Sequence, residues 1–188
     1  MFGRFHLQMA FVNSLHAQYC GSKVTLGFSH AFGILQRKGL HSTSTKGTFH
    51  HTFKQALFVV GMARFRDLWR QVAGAESLKE LQGKKAANLY DLATKIWESY
   101  ASTAAVVKLG ESGSEDGDEL LPISIRFNHD LLDCFELDEA MRVGDVGRME
   151  DMLPRLLFRL LGDGNHKYAV EILELLQGLH REWPGEVM

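Results

Sequence analysis

Two glutamates one helical turn apart are the residues of this chain best suited to chemistry. Glu171 and Glu174 lie in the segment GDGNHKYAVEILELLQGLHREWP, residues 162–184, after an Asn-His pair. Metal-dependent nucleases hold one or two divalent ions between carboxylates, which activate water and stabilise the leaving oxygen. An amphipathic helix places glutamates at the same spacing on its solvated side. We favour this structural role and keep both glutamates as weak catalytic candidates. The buried side is then expected to comprise Ala169, Ile172, Leu173 and Leu176.

Motifs for other catalytic or metal-binding chemistry are missing from the sequence. The adjacent His50 and His51 point about 100° apart on a helix and cannot form an i, i+4 ligand pair. The chain has no His-Glu-x-x-His, no Cys-x-x-Cys, no phosphate-binding glycine loop and no Gly-x-Ser-x-Gly elbow. Cys20 and Cys134 form no disulfide framework, which favours a reducing compartment. We therefore predict no metal site and no cofactor.

The elements that must position these residues have the pattern of helices throughout. Apolar residues recur at three- and four-residue steps, and no segment alternates in the manner of a strand. We predict an all-α fold of about seven or eight amphipathic helices. Gly39, Gly74 and Gly144 are expected to stop helices, whereas Pro154 is expected to break or restart one.

Two long patterns give specific expectations. Residues 84–109, KKAANLYDLATKIWESYASTAAVVKL, predict one amphipathic helix. The helix before Gly74 is expected to bury a single apolar stripe. That stripe comprises Phe53, Leu57, Phe58, Met62, Phe65, Trp69 and Val72.

Charge divides the chain into two unequal parts. Eight Lys or Arg and no Asp or Glu lie in residues 1–66, whereas the remainder has 13 basic and 23 acidic residues. The acidic, Gly/Ser-rich segment 110–120 is typical of a solvated linker. We predict a basic helical lobe over residues 1–109 and an acidic one over 121–188, packed as one domain in which the charges neutralise each other. The alternative is weak nucleic-acid binding by the basic lobe, with the candidates Arg37, Lys38, Lys46 and Lys54.

Four stretches together resemble a large fungal family catalogued as a domain of unknown function, number 6589. In order over residues 3–184 they are GRFHLQMAFVNSL, GSKVTLGFSHAFGILQRKGL with the downstream FHHTFKQAL, AMRVGDVGRMEDMLPRLLF and GDGNHKYAVEILELLQGLHREWP. The most specific part is GDVGRMEDMLP followed by GNHKYAVEILELL. Asp145 and Asn165 are expected to cap the two helices of this part. Its structural motif residues are Gly144, Asp145, Gly147, Arg148, Asn165, His166 and Tyr168.

The resemblance implies an origin in a mobile element. The layout of the family is similar to that of proteins with an RNase H-like catalytic sheet and a helical insertion. On this analogy the strands precede residue 1, the last helix carries the final acid, and magnesium or manganese is the cofactor. Many family members have an acid after the first glycine, where this chain has Arg4, which argues against catalysis. The family continues past EWP, so the resemblance also implies a truncated copy.

The combined expectation is a non-catalytic helical interaction module or a remnant of a mobile-element protein. The alternatives are a fragment of a metal-dependent transposase or nuclease, and weak nucleic-acid binding. Truncation would expose Phe2, Phe5, Phe11 and Phe28, which predicts self-association or a protein partner. Without a stretch of about 18 apolar residues or a convincing secretory signal, we expect an intracellular protein, nuclear or cytoplasmic, that does not contact a membrane.

Overall fold

Helices form all the regular structure of the described residues. A computed structural model of the chain describes residues 4–19, 28–38, 51–111 and 120–182. Within these ranges it has eight α-helices and no strand, which confirms the all-α prediction. The α-helices are α1 Arg4–Tyr19, α2 Phe28–Arg37, α3 His51–Val72, α4 Ala86–Tyr100, α5 Thr103–Glu111, α6 Leu120–Val143, α7 Val146–Gly162 and α8 His166–Gln177. A 3-10 helix, Leu78–Leu81, follows α3, and a π-helical turn, Gly178–Glu182, follows α8. Searched over the same ranges, no helix is long and apolar enough to cross a membrane.

Helix ends follow the predicted signals where a glycine or a capping side chain is present. Gly74 after α3 and Gly144 after α6 have φ angles of 62° and 75°. Glycine enters this left-handed region without the clash that a Cβ atom would cause. Asp145 precedes α7, and its side chain accepts a hydrogen bond from the Arg148 amide at 3.1 Å. These three boundary predictions are confirmed, whereas Gly39 lies outside the described residues.

The prediction of a single helix over residues 84–109 is wrong, because the helix is interrupted between α4 and α5. The buried Ser102 hydroxyl donates to the Glu98 carbonyl at 3.1 Å and accepts from the Ala105 amide at 3.1 Å. Serine thereby offers the backbone an alternative to continuous helical hydrogen bonds. One side chain both ends α4 and begins α5.

Pro154 does not break α7, contrary to the sequence prediction. A proline in a helix interior removes one backbone hydrogen bond and crowds the preceding turn. Pro154 lies on the exposed side of α7, while Met152, Leu153 and Leu156 around it are buried. Tertiary packing of these neighbours holds the helix together across the proline.

The chain forms two compact units, which are described separately. Unit 1 comprises Met1–Phe53 and Asp133–Met188, and unit 2 comprises Lys54–Leu132. Helices α3 and α6 contribute residues to both. The charge-based lobes 1–109 and 121–188 with the linker 110–120 are not tested by this division and stay a prediction. Of that linker, residues 110 and 111 belong to α5 and 120 begins α6, while 112–119 lie outside the described residues.

The core of unit 1 is built around α1, which is buried on most of its surface. Helix α1 packs against α7, and α7 pairs with α8. Gln8 of α1 donates a hydrogen bond to Asp138 of α6 at 2.6 Å. The predicted exposure of Phe11 is wrong, because this side chain is 1% exposed. The side chains of Phe2, Phe5 and Phe28 lie outside the described part. Buried α1 residues are Leu7, Gln8, Ala10, Phe11, Val12, Ser14 and Leu15.

In unit 2 the predicted stripe of α3 is confirmed at Leu57 and wrong at Met62, while its first member, Phe53, is buried in unit 1. Ala56, Leu57 and Gly61 are buried, whereas Met62 is 49% exposed. The other stripe members in this unit are only half-buried: Phe58, Phe65, Trp69 and Val72. Helices α4 and α5 pack together. The buried apolar residues of α4, α5, the turn between them and the unit 2 part of α6 are Ile96, Ala101, Ala105, Ile125, Phe127 and Leu131.

Candidate functional site

The two candidate glutamates lie on α8 in unit 1. Glu171 is half-buried and Glu174 is exposed. Ala169 and Ile172 are buried as predicted, but Leu173 is 54% exposed, so the expected buried side was too wide. Over the described ranges, no three His, Cys, Asp or Glu side chains come close enough to hold a metal ion together. The structural role that we favour for Glu171 and Glu174, with catalysis as the weaker alternative, stays a prediction.

Asn165 occupies the N-cap position of α8 but does not cap it with its side chain. The helix begins at His166, and the Asn165 side chain accepts no capping hydrogen bond. The Asn165 backbone carbonyl accepts from the Tyr168 and Ala169 amides at 3.1 and 3.2 Å. The predicted position is therefore confirmed, and the predicted side-chain bond is wrong. Of the neighbouring motif residues, His166 is exposed and Tyr168 is half-buried.

The GDVGR part of the motif joins α6 to α7. The Arg148 side chain donates from Nε to Glu136 at 2.7 Å, between the two helices. This hydrogen bond lowers the pKa of the Glu136 carboxyl and raises the pKa of the Arg148 guanidinium. A Cβ atom at Gly147 would meet only Asp145 Oδ1 at 3.7 Å, an ordinary contact. These contacts connect α6 to α7 and support a structural role for the motif.

A second polar cluster, missed by sequence reasoning, fastens α1 to the turn between α7 and α8. The buried Ser14 hydroxyl donates to Asp163, and Arg159 lies 3.8 Å from the same carboxylate. Arg159 also donates to Gln18 and lies over the Tyr19 ring at 5.8 Å. Buried polar groups normally need such partners. Helix α1 also carries Gln8, Asn13 and Gln18, so no sequence signal singles out Ser14.

A third polar cluster lies within unit 2 and was also missed. Arg64 of α3 donates from Nε to the Asn128 side-chain oxygen at 2.9 Å. The Asn128 amide nitrogen donates in turn to the Tyr100 carbonyl at 2.8 Å. The Arg64 guanidinium also lies 5.0 Å from the centre of the Phe127 ring. Asn128 is 3% exposed and Arg64 is half-buried, so the network connects α3, the end of α4 and α6 through a buried amide.

The nucleic-acid candidates are placed only in part. Arg37 and Lys38 are exposed at the end of α2 in unit 1, where Arg37 donates to the Gly33 carbonyl at 3.3 Å. Lys54 begins unit 2, and its ammonium lies 5.8 Å from the centre of the Phe58 ring. Lys46 lies outside the described residues. Weak nucleic-acid binding stays a prediction.

Helix α7 carries a second seam, of one acidic and three nonpolar residues, on the side away from its core. Its buried positions include Met149, Leu153, Leu156 and Leu160, at four-three-four spacing. On the other side Asp151, Pro154, Phe158 and Leu161 recur at three-four-three spacing, and all four are exposed. We call these four residues the α7 outer face. Phe158 is 73% exposed and Leu161 is 42% exposed.

The described residues form two all-α units, each with an apolar core and a partly buried polar network. The model of the family of unknown function, DUF6589, matches residues 1–188, and the chain belongs to that family. This confirms the family resemblance read from the four motifs. Fungal origin and mobile-element derivation stay predictions. No curated protein and no solved structure matches the chain.

Proposed function

We propose that this chain is a non-catalytic helical interaction module that binds a partner helix along the α7 outer face. The observation that carries the proposal is the second seam on α7, in which Phe158 is 73% exposed. Apolar residues at alternating three- and four-residue spacing are what one helix presents to another in coiled-coil packing. A helix whose core side is already filled gains nothing in its own fold from a further seam.

The charges beside this seam favour a basic partner. Arg155 is engaged with Asp133 at 2.8 Å, which leaves Asp151 as the acid of the outer face with no ion pair among the described residues. Interfaces gain specificity when a charge on one side faces the opposite charge on the other. The occupant is therefore an amphipathic helix with an apolar side and lysine or arginine at its edge.

Two synthetic peptides test this function with the whole chain. One peptide is a Leu/Lys heptad helix, and the other has every lysine replaced by glutamate. We expect fluorescence anisotropy to show binding of the Leu/Lys peptide and much weaker binding of the Leu/Glu peptide. Phe158→Glu is expected to weaken binding by about tenfold or more, which corresponds to about 1.4 kcal/mol.

Val170→Glu is the matched control, because Val170 is 52% exposed on α8 and does not belong to the α7 outer face. It should keep the affinity of the native chain. Equal binding of the two peptides, or no effect of Phe158→Glu, would contradict the proposal. A dimer of the chain that Phe158→Glu dissociates would also contradict it, because a second copy would then occupy the face.

The mobile-element interpretation is a separate proposal about origin. It is supported by the family resemblance, and its magnesium or manganese would belong to a transposase or nuclease role. A remnant that has lost catalysis is compatible with an interaction module. The metal titration given in the Discussion separates the catalytic alternative from the structural one.

A further inference from the structure

Arg64 is a cation on the core side of its helix. It follows Leu57 by two turns and precedes the half-buried Leu68 by one, next to the buried Gly61. The side chain is half-buried, and burial lowers the pKa of the guanidinium by removing water from its charged form. Taking a charged group out of water is unfavourable unless a partner compensates it.

The other half-buried arginines whose surroundings are described each have a carboxylate. Arg148 is paired with Glu136 at 2.7 Å, and Arg159 lies 3.8 Å from Asp163. Arg64 has no carboxylate within the 4.0 Å of an ion pair among the described residues. Its partners are the neutral Asn128 oxygen and the face of the Phe127 ring, neither of which carries a full negative charge.

The neutral partners fix the direction in which the guanidinium faces. Asn128 donates its amide nitrogen to the Tyr100 carbonyl, so its oxygen is turned towards Arg64. That oxygen takes the Nε proton, and Phe127 lies against the guanidinium. Within the described ranges, the two terminal nitrogens of Arg64 make no hydrogen bond to protein. Their shared edge has the geometry that accepts two oxygens of one anion.

We propose that the terminal edge of the Arg64 guanidinium binds an oxyanion, a carboxylate or phosphate group, held in place by the Asn128–Tyr100 network. The anion supplies the negative charge that the other half-buried arginines obtain from the chain itself. This site lies in unit 2 and does not depend on the α7 outer face in unit 1. Arg64 is the binding residue, and Asn128 is a positioning residue that acts through it.

Nuclear magnetic resonance of the arginine Nε–H groups tests the site in the native chain. Sodium phosphate, sodium acetate and sodium chloride are titrated at matched ionic strength. We expect a saturable shift of the Arg64 Nε–H signal with phosphate, acetate or both, and a negligible shift with chloride. Whichever oxyanion saturates the shift at lower concentration identifies the class of ligand. An unresponsive signal, or one that chloride shifts equally, would overturn the proposal.

Variants give a second, independent measurement. The oxyanion is expected to raise the melting temperature of the native chain, because a ligand bound only to the folded state stabilises it. Arg64→Lys keeps a charge but loses the two-nitrogen edge, and Arg64→Gln loses both, so each should abolish that gain. Asn128→Ala should weaken it.

Arg70→Gln is the matched control, because Arg70 is on the same helix but is exposed and paired with Asp67 at 3.0 Å. It should keep the gain. An equal gain in Arg64→Gln would refute the site, and if that variant fails to fold, the signal of the native chain decides alone.

Discussion

Substitution to alanine is expected to cost different amounts of stability at Asp145 and Asn165, the N-cap residues of α7 and α8. Asp145→Ala removes a side-chain hydrogen bond to the Arg148 amide at 3.1 Å. Such a bond is worth about 1 kcal/mol, within a range of about 0.5–2 kcal/mol. Asn165→Ala removes no capping bond, because the Asn165 side chain makes none, and the backbone carbonyl that accepts from the Tyr168 and Ala169 amides is kept. We therefore expect Asp145→Ala to destabilise unit 1 by about 1 kcal/mol and Asn165→Ala by a few tenths at most.

Urea unfolding followed by circular dichroism measures both variants on the same unit. In a chain of 188 residues, 1 kcal/mol corresponds to about 2–4 °C in melting temperature. Asp145→Asn is the control, since asparagine caps about as well as aspartate. It should recover most of the loss, and any remainder measures the charge of the carboxylate at the helix start. Equal losses for Asp145→Ala and Asn165→Ala would refute the assignment of the caps.

Acid and divalent metals give two further predictions. Arg148 lowers the pKa of Glu136, so this pair stabilises the fold above the ordinary carboxylate pKa and the contribution disappears as pH falls through the lowered value. Glu136→Gln should therefore reduce the loss of unfolding free energy on acidification, measured by urea titration. The reduction is less than about 1 kcal/mol because the Glu136 side chain is 42% exposed. An unchanged acid dependence would contradict this. For Glu171 we expect no effect of magnesium or manganese on the melting temperature and almost none of Glu171→Gln, because a divalent catalytic site needs several grouped acids. A metal-induced gain that Glu171→Gln abolishes would show that the structural role is wrong.

Helix boundaries are predictable from this sequence where one residue acts on the backbone next to it, as a glycine stop or a capping side chain does. Gly74 and Gly144 adopt positive φ angles that favour glycine, and Asp145 bonds to an amide three residues on. The effect of Ser102 is equally local, since its hydroxyl bonds to the backbone of both Glu98 and Ala105. The signal was present in the sequence, but the apolar periodicity of residues 84–109 outweighed it.

Pro154 shows the opposite limit, where a local rule loses to packing. A proline inside a helix is unfavourable by about 3 kcal/mol. Burying one large apolar side chain contributes about 1.5–3 kcal/mol, and Met152, Leu153 and Leu156 are all buried beside it. Several such contributions exceed the local penalty. Since these contacts are made with other helices, residues near Pro154 in sequence could not reveal them.

The candidate anion site in unit 2 depends on which side of α3 faces the core and on residues distant from α3 in sequence. Helix α3 has apolar residues on more than one side, so its sequence does not determine which side faces the core. The predicted stripe included Met62, which is 49% exposed, and excluded Arg64, which lies next to buried Gly61. Asn128, 64 positions later, and the Tyr100 carbonyl complete the environment of Arg64. At that position α6 supplies an oxygen and a ring for the half-buried cation, and the guanidinium edge that these leave uncovered is where we expect the oxyanion to bind.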